Sequence, residues 1–236
     1  MRTSLRVPFG LKNGRLYEPL QVANGKLCAC VCPACKKPLV AKQRASTPHF
    51  AHAQDESCAK GLETAVHLAV KQIIAERHSL RFPILRWNNP FKFQRESQSV
   101  VVEPERLCDL ASVELELWLD NIRPDIVVVA DGQTYLVEVA VTHFVDDKKH
   151  EKIRRKQTPT FEIDVSHLKT GFTLESLEQA IYTNRRYDAQ WLYHPKLEVL
   201  TLEASQRENQ RKEALAAAEQ EKALKYKRYK ALAPID

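Results

Sequence analysis

The segment Arg123-Pro-Asp-Ile-Val-Val-Val-Ala130-Asp-Gly-Gln-Thr-Tyr-Leu-Val-Glu138-Val-Ala-Val141 sets the reading of the whole chain. Two runs rich in β-branched residues flank Asp131-Gly132, the preferred centre of a type I′ turn, so the segment predicts a β-hairpin with a two-residue loop. That loop dictates the register: Ala130 faces Gln133, Val128 faces Tyr135 and Asp125 faces Glu138. Directly opposed residues share a face with Cβ atoms about 4.5–5.5 Å apart, and like charges there destabilise the sheet. A cation between them resolves the conflict. A hard divalent ion such as Mg²⁺ or Mn²⁺ takes carboxylate oxygens, activates water and stabilises charge on a phosphate. Two other outcomes stay open at this point. In one, Asp125 after Pro124 caps the strand and Arg123 pairs with Glu138. In the other, a loop longer or shorter by one residue puts the acids on opposite faces.

Working outward, Leu62, Val66, Ala69, Val70 and Ile73 recur at helical spacing and predict a helix over Leu62–Arg77. Glu63 and His67 lie four apart on one face of it. A Glu63 carboxylate beside the two sheet acids would complete an ion cage, although the Glu63–His67 pair alone reads as a surface interaction. Cys108–Leu119 alternates as a strand, with a helix as the alternative, Asp146–Lys156 reads as a charged helix or helical turn, Thr160–Val165 as a strand, and Leu174–Ile181 as a helix continuing toward Arg186. The element order is α-β-β-β-α-β-α. Between them, Phe82–Val102 is rich in Pro and aromatic residues and reads as loop plus an extended stretch. Upstream, Leu5–Phe9 and Leu16–Val22 read as short strands, with turns at Lys12-Asn-Gly-Arg15 and at Asn24-Gly25, a hairpin signal. Downstream, Glu203–Leu232 suits a solvated helix or arm that ends in the basic, aromatic-interleaved Lys225-Tyr-Lys-Arg-Tyr-Lys230. The expected organisation is a β and metal module over 1–60, an α/β (α+β) domain over 61–200 and a charged helix over 201–236.

The 236 residues carry 36 Lys+Arg against 30 Asp+Glu, a net charge of +6 that favours a polyanionic partner. With 44% hydrophobic and 28% charged residues the composition is that of a folded globular chain, which excludes disordered and fibrous classes. The longest apolar runs fall far short of the roughly 20 residues that cross a bilayer. No apolar stretch follows the basic Met1–Arg6, so the expectation is no secretory signal, no membrane partner and a cytoplasmic protein.

Five of six cysteines (Cys28, Cys30, Cys32, Cys35, Cys58) crowd into the first 58 residues, and a reducing compartment favours metal over disulfides. Cys32-Pro-Ala-Cys35 is followed by His49-Phe-Ala-His52 and then Cys58. Tetrahedral zinc takes four N or S ligands, commonly as pairs close in sequence. Cys32 and Cys35 form the firm pair, and two of His49, His52 and Cys58 supply the rest, with His52 and Cys58 favoured. A site filled by four protein ligands is structural and does not activate water.

These residues carry a resemblance. Cys32-Pro-x-Cys35, His49-Phe-Ala-His52, Cys58, Glu63-x3-His67, Arg123-Pro-Asp125 and Glu138 resemble the CoiA-like competence proteins, a branch of the PD-(D/E)XK nuclease superfamily with an N-terminal zinc-finger-like module. The resemblance spans residues 28–168. It implies a PD-(D/E)XK nuclease-like mixed β-sheet flanked by helices and a metal-dependent hydrolase of DNA, or RNA. Glu63 would be the first-helix acid, Asp125 the acid of the Pro-Asp motif and Glu138 the acid of the last motif, together holding catalytic Mg²⁺ or Mn²⁺, with structural Zn²⁺ in the N-terminal module. One departure stands out: the family places Lys, or often Gln, two residues after the last acid, and this chain has Ala140. A substitute must come from elsewhere: Thr142 and His143 follow on the strand, and Lys148, Lys149 and Lys152 lie in the next helical segment, with Lys152 favoured and Thr142 or His143 as alternatives. Ala140 also supports the opposing expectation of a non-catalytic DNA-binding or adaptor protein on the same fold.

Overall fold

The computed structural model describes residues 6–54, 58–91, 99–168, 172–184 and 187–232. It is a mixed α/β protein with four α-helices among the described residues, and the chain divides into two compact units. One comprises Met1–Leu85 with Pro104–His194, the other Arg86–Glu103 with Pro195–Asp236.

The first unit opens with β1 (Gly10–Lys12) and β2 (Arg15–Tyr17), an antiparallel hairpin. Its Asn13-Gly14 turn has φ of 50° and 79°, the doubly positive signature of a type I′ turn. β3 (Leu39–Lys42) pairs antiparallel with β4 (His49–His52). Val31 bridges Leu11 and Pro38, and Val7 bridges Phe50, lacing the two hairpins together. Two expectations fail here. Pro19 has no N–H to give a ladder, so the strand begun at Leu16 stops at Tyr17 and a 3-10 turn covers Pro19–Gln21. Asn24-Gly25 makes no hairpin, because the following Lys26–Cys28 is a 3-10 turn and Gly25 exchanges both backbone hydrogen bonds with Ala41 instead, at 3.0 and 3.1 Å. Of Leu5–Phe9, Val7 alone bridges, and residues 1–5 lie outside the described set.

Helix α1 (Gly61–Arg77) buries Ala65, Val66, Ala69, Val70, Ile73 and Ile74 along one stripe. Next come β5 (Ser79–Phe82), β6 (Leu85–Asn88), β7 (Ser99–Glu103), β8 (Arg106–Asp109) and β9 (Ser112–Leu115). The single strand read over Cys108–Leu119 is two: β8 pairs with β5 and β9 joins the main sheet. The chain changes partner where Leu110 N–H donates to His78 O at 2.9 Å and Ala111 N–H to Val129 O at 2.8 Å.

The main sheet contains β10 (Ile126–Ala130), β11 (Gln133–Ala140), β12 (Thr160–Asp164) and β13 (Ala189–Tyr193), in the order β13-β12-β11-β10-β9. β9, β10 and β11 form an antiparallel meander. Helix α2 (Asp147–Lys156) then crosses over to β12, which runs parallel to β11, and β13 closes the edge antiparallel. α3 (Leu174–Tyr182) precedes β13, a strand that the sequence did not lead us to expect; Arg185-Arg186 lies outside the described residues. Tyr135, Val137 and Val139 enter the large core with α1 and with Leu177 and Ile181 of α3. Strand alternation turns Leu136, Glu138 and Ala140 to the other face, where Ile153 of α2 packs with Ile122 and Tyr193. The sheet is thus covered on both sides.

In the second unit β6 pairs with β7, and the charged helix begins earlier than expected, as α4 (Pro195–Leu232). Proline is favoured in the first helical turn. At 38 residues α4 is about 57 Å long, largely exposed, and laced by pairs such as Arg207–Glu203 and Lys225–Glu221.

At Gly10 a Cβ would lie 2.9 Å from Cys30 Cβ and 3.0 Å from a ring carbon of Phe50, inside the packed N-terminal module. Gly10→Ala is therefore expected to destabilise by about 1–3 kcal/mol despite its smaller unfolded-state entropy. Urea unfolding checks this, and an unchanged midpoint would contradict it.

Candidate functional site

Two constellations form. In the N-terminal module Cys32, Cys35, His52 and Cys58 each offer a ligand atom, and these atoms lie within 4.8 Å of one another. Zinc with Zn–S of about 2.3 Å spaces tetrahedral ligands about 3.7 Å apart, so the group can hold a metal such as zinc. His52 Nε2 lies 3.2 Å from Cys35 Sγ, which aims the ring into the cluster. His49 is not part of it: three residues away on β4 it faces the opposite side of the strand, and its Nδ1 sits 2.9 Å from Thr47 O. Burial pushes the Cys32 thiol up to about 11, and a bound cation would displace that proton. Cys28 and Cys30 are buried, and their thiols donate to Leu39 O and Cys28 O. Cys58 O accepts from Gly61 N–H at 3.0 Å, so the cluster abuts the first turn of α1.

The second constellation stands where α1 meets the end of the β10–β11 hairpin. The register places Ile126 opposite Val137, so Asp125 lies opposite Glu138 as the two-residue loop requires. Asp131 and Gly132 carry φ of 50° and 74°. Asp125 ends the ladder with its side chain: Oδ2 accepts from Val139 N–H at 3.0 Å. Its other contacts come from α1. Lys71 Nζ is 2.9 Å from Oδ1, and His67 Nδ1 is 3.4 Å from Oδ2. Burial alone would raise the Asp125 pKa, but His67 and Lys71 together hold it far below the usual carboxylate range.

Glu138 is 2% exposed. Lys149 Nζ of α2 approaches Oε2 at 2.6 Å, while Oε1 is buried without a hydrogen-bond partner. Burial, reinforced by the Asp125 charge, lifts its pKa to about 7 against the pull of Lys149. The two acids therefore part company: Asp125, held by His67 and Lys71, stays ionised, and Glu138 keeps the proton into the neutral range.

The remaining expected residues are distributed unevenly. Glu63 faces His143, whose Nδ1 is 3.6 Å from Glu63 Oε1 and 2.8 Å from Thr142 Oγ1. Glu63, His67 and Asp125 line one open cleft of about 350 Å³, with Lys71 and Glu116. Glu63 does not close on Asp125 and Glu138 as a three-acid cluster; among the described residues the Cys/His group alone has three or more ligand atoms that close together. Lys152 is exposed, and it is Lys149, one turn earlier, that meets Glu138. Arg123 pairs with Glu116, not with Glu138.

Sequence reasoning missed Lys71 and Glu116. Lys71 is 4% exposed by side chain and sits between Asp125 and Glu116, 3.1 Å from the latter. It continues the four-residue spacing from Glu63 through His67, a signal that was present. It missed Glu162 as well, which lies beside Glu138 in the parallel register and is buried with its oxygens on Val145 N–H and Gln190 Nε2.

Purified protein is expected to carry about one zinc per chain. Cys32→Ser should lose it and destabilise the N-terminal module, and His49→Ala should keep it. Retention in Cys32→Ser by plasma emission spectrometry would contradict the assignment. A glutamate in an unfolded chain titrates near 4.3, so the folded state binds the Glu138 proton more tightly. Its contribution is full below about pH 4 and is lost as pH rises through about 7. Glu138→Gln should flatten that slope and raise stability at pH 8 by on the order of 2 kcal/mol relative to the parent. Equal urea midpoint differences at pH 5 and pH 8 would argue against it.

Comparison of the chain with family models, with curated proteins and with solved structures finds no match, so the functional reading rests on the residues themselves.

Proposed function

We propose that the protein is a metal-dependent nuclease that hydrolyses DNA phosphodiester bonds at the junction of α1, β10 and β11, in the manner of the PD-(D/E)XK enzymes. The observation that carries this reading is Glu138 Oε1, a buried carboxylate oxygen without a hydrogen bond beside a second carboxylate. A structural acid would be expected to have every oxygen satisfied, and an orphaned one asks for a partner. The donor set fits a hard cation: Asp125 and Glu138 would hold Mg²⁺ or Mn²⁺, with Glu63 the next acid along the cleft. Such an ion activates water and neutralises charge on a phosphoryl oxygen.

The chain's own residues do the rest. Lys71 fixes Asp125 from below while pairing with Glu116, and Val139 N–H fixes the other oxygen. Lys149, one-third exposed, orients Glu138 and presents a cation at the mouth of the site, the duty left open by Ala140. Its Nζ can meet a phosphate oxygen when a strand is bound. His67, partly exposed beside Asp125, lines the cleft where water enters. The β9-β10-β11 meander followed by α2 and a β12 parallel to β11 supports the same family of folds, and the excess of Lys and Arg supports a nucleic-acid substrate.

A second reading has its own observation. His67, Lys71 and Lys149 already partner the two acids, as they would in a DNA-binding or adaptor protein that uses the cluster to hold its fold.

The two readings separate in one assay. Full-length protein with Mn²⁺ should nick DNA, and Asp125→Asn and Glu138→Ala, folded by circular dichroism, should lose on the order of a hundredfold or more in rate. Lys149→Met should lower the rate less. Binding without cleavage, or cleavage indifferent to both acid substitutions, establishes the adaptor instead.

A further inference from the structure

Between β9 and β10 the chain turns through Glu116–Pro124 and raises Trp118 into solvent, 65% exposed. An indole held out in water on a fixed support presents a flat apolar face with a polar edge, which a planar ligand can cover. This support is rigid. Leu119 and Ile122 exchange backbone hydrogen bonds of 2.9 and 3.2 Å, and Glu116 and Asp120 occupy the left-handed region with φ of 54° and 57°. Ile122 is buried against Ile153 of α2 and Tyr193, with Leu119 packed beside them, and Lys156 Nζ holds Asp120 at 2.6 Å. The loop therefore belongs to the same body as α2.

One guanidinium lies against the ring. Arg123 lies 5.8 Å from its centroid and donates from Nε to Glu116 O at 3.1 Å while pairing with the Glu116 carboxylate. Through Glu116 and Lys71 this contact chain leads directly to Asp125. Helix α2, on which the loop rests, carries six Lys or Arg against two acids, and its Lys149 reaches Glu138. The exposed ring, the basic helix on which its loop packs and the carboxylate pair that Lys149 of that helix reaches offer three points of contact to a polyanion whose bases are free.

We infer that Trp118 is a stacking platform for an unpaired nucleobase, so that the protein takes single-stranded nucleic acid, or a single-stranded end, along α2 toward Asp125 and Glu138. The inference deepens the nuclease reading and rests on it for where the strand is cut; the binding step does not. A ring face stacks on an unpaired base whatever its identity, whereas a duplex offers base edges and phosphates and leaves the faces covered. Arg123 polarises the indole from one side and adds its own charge to the phosphates. Because the loop is already fixed by Ile122 and Asp120, little ordering entropy is lost when a base settles there.

The test is fluorescence anisotropy with the full-length chain in buffer without added Mg²⁺ or Mn²⁺. The probes are fluorescein-labelled oligo-dT, oligo-U and a blunt DNA duplex of equal length. The oligo-dT should bind more tightly than the duplex. Trp118→Ala should weaken it about tenfold, Trp118→Phe should recover most of the loss, and duplex binding should be unchanged by either. Oligo-U tightness equal to oligo-dT would extend the substrate to RNA and supports the stacking role. Undiminished oligo-dT binding by Trp118→Ala, or a parent protein that prefers the duplex, overturns it. Cleavage with Mn²⁺ is scored separately. A parent that cuts DNA while Trp118→Ala binds normally sinks the platform and leaves the nuclease. A parent that binds oligo-dT through Trp118 and never cuts sinks the nuclease and leaves the platform.

Discussion

The two-residue turn at Asp131-Gly132 constrains more of this molecule than any other feature. Both residues must take positive φ, which aspartate tolerates and glycine adopts freely, and the resulting type I′ geometry matches the twist of the strands it joins. Because side chains alternate along a strand, one extra residue in that loop would exchange every face of one strand relative to the other. Tyr135, Val137 and Val139 would leave the large core, and Glu138 would enter it. Register here is a matter of which residues are buried, and the carboxylate pair is a consequence of it.

That consequence has an electrostatic cost, which the structure offsets with cations drawn from two helices on opposite sides of the sheet. Lys71 comes from α1 and Lys149 from α2. Burying two acids side by side is far less favourable than burying one ion pair, since the desolvation of each is added to their mutual repulsion. The asymmetry in titration follows from the asymmetry of supply. Asp125 has Lys71, His67 and a backbone N–H, and Glu138 has Lys149 on one oxygen and the like charge of Asp125 beside it. A hydrogen-bonded network with one unsatisfied member is costlier than a complete one, and Glu138 is where that cost falls.

Much of this was legible in the sequence because local chemistry and tertiary structure agree at the hairpin, at α1 and at α2. The same rules misled at Asn24-Gly25. Hairpin signals report what two residues can do, and there the neighbouring Ala41 captured the backbone of Gly25 in both directions. Cys108–Leu119 misled for a related reason: alternation persists across Leu110-Ala111 while the pairing partner changes from β5 to β10, and periodicity carries no information about partners. Within the metal module, the choice between His49 and His52 was decidable in principle. Once the segment is read as a strand, three-residue spacing sends the two rings to opposite faces, and only one of them can join Cys32 and Cys35. Lys71 was visible as the next step of a four-residue spacing, but its role depends on Glu116, whose approach is set by a left-handed backbone that no local pattern announces.

The two constellations are joined by α1. Cys58 holds the first turn through Gly61, where an added Cβ would already lie 3.3 Å from Val7 and 3.6 Å from the Cys58 sulfur. Glu63, His67 and Lys71 then follow at one-turn intervals down the same helix. A cation in the Cys/His cluster would fix the position of Cys58, and with it the start of α1, by bonds far stiffer than side-chain packing. The axial placement of His67 and Lys71 against Asp125 depends on that start, because a helix transmits a shift of its first turn along its length with little loss. A metal held by Cys32, Cys35, His52 and Cys58 would therefore bear on the carboxylate pair only through the placement of α1.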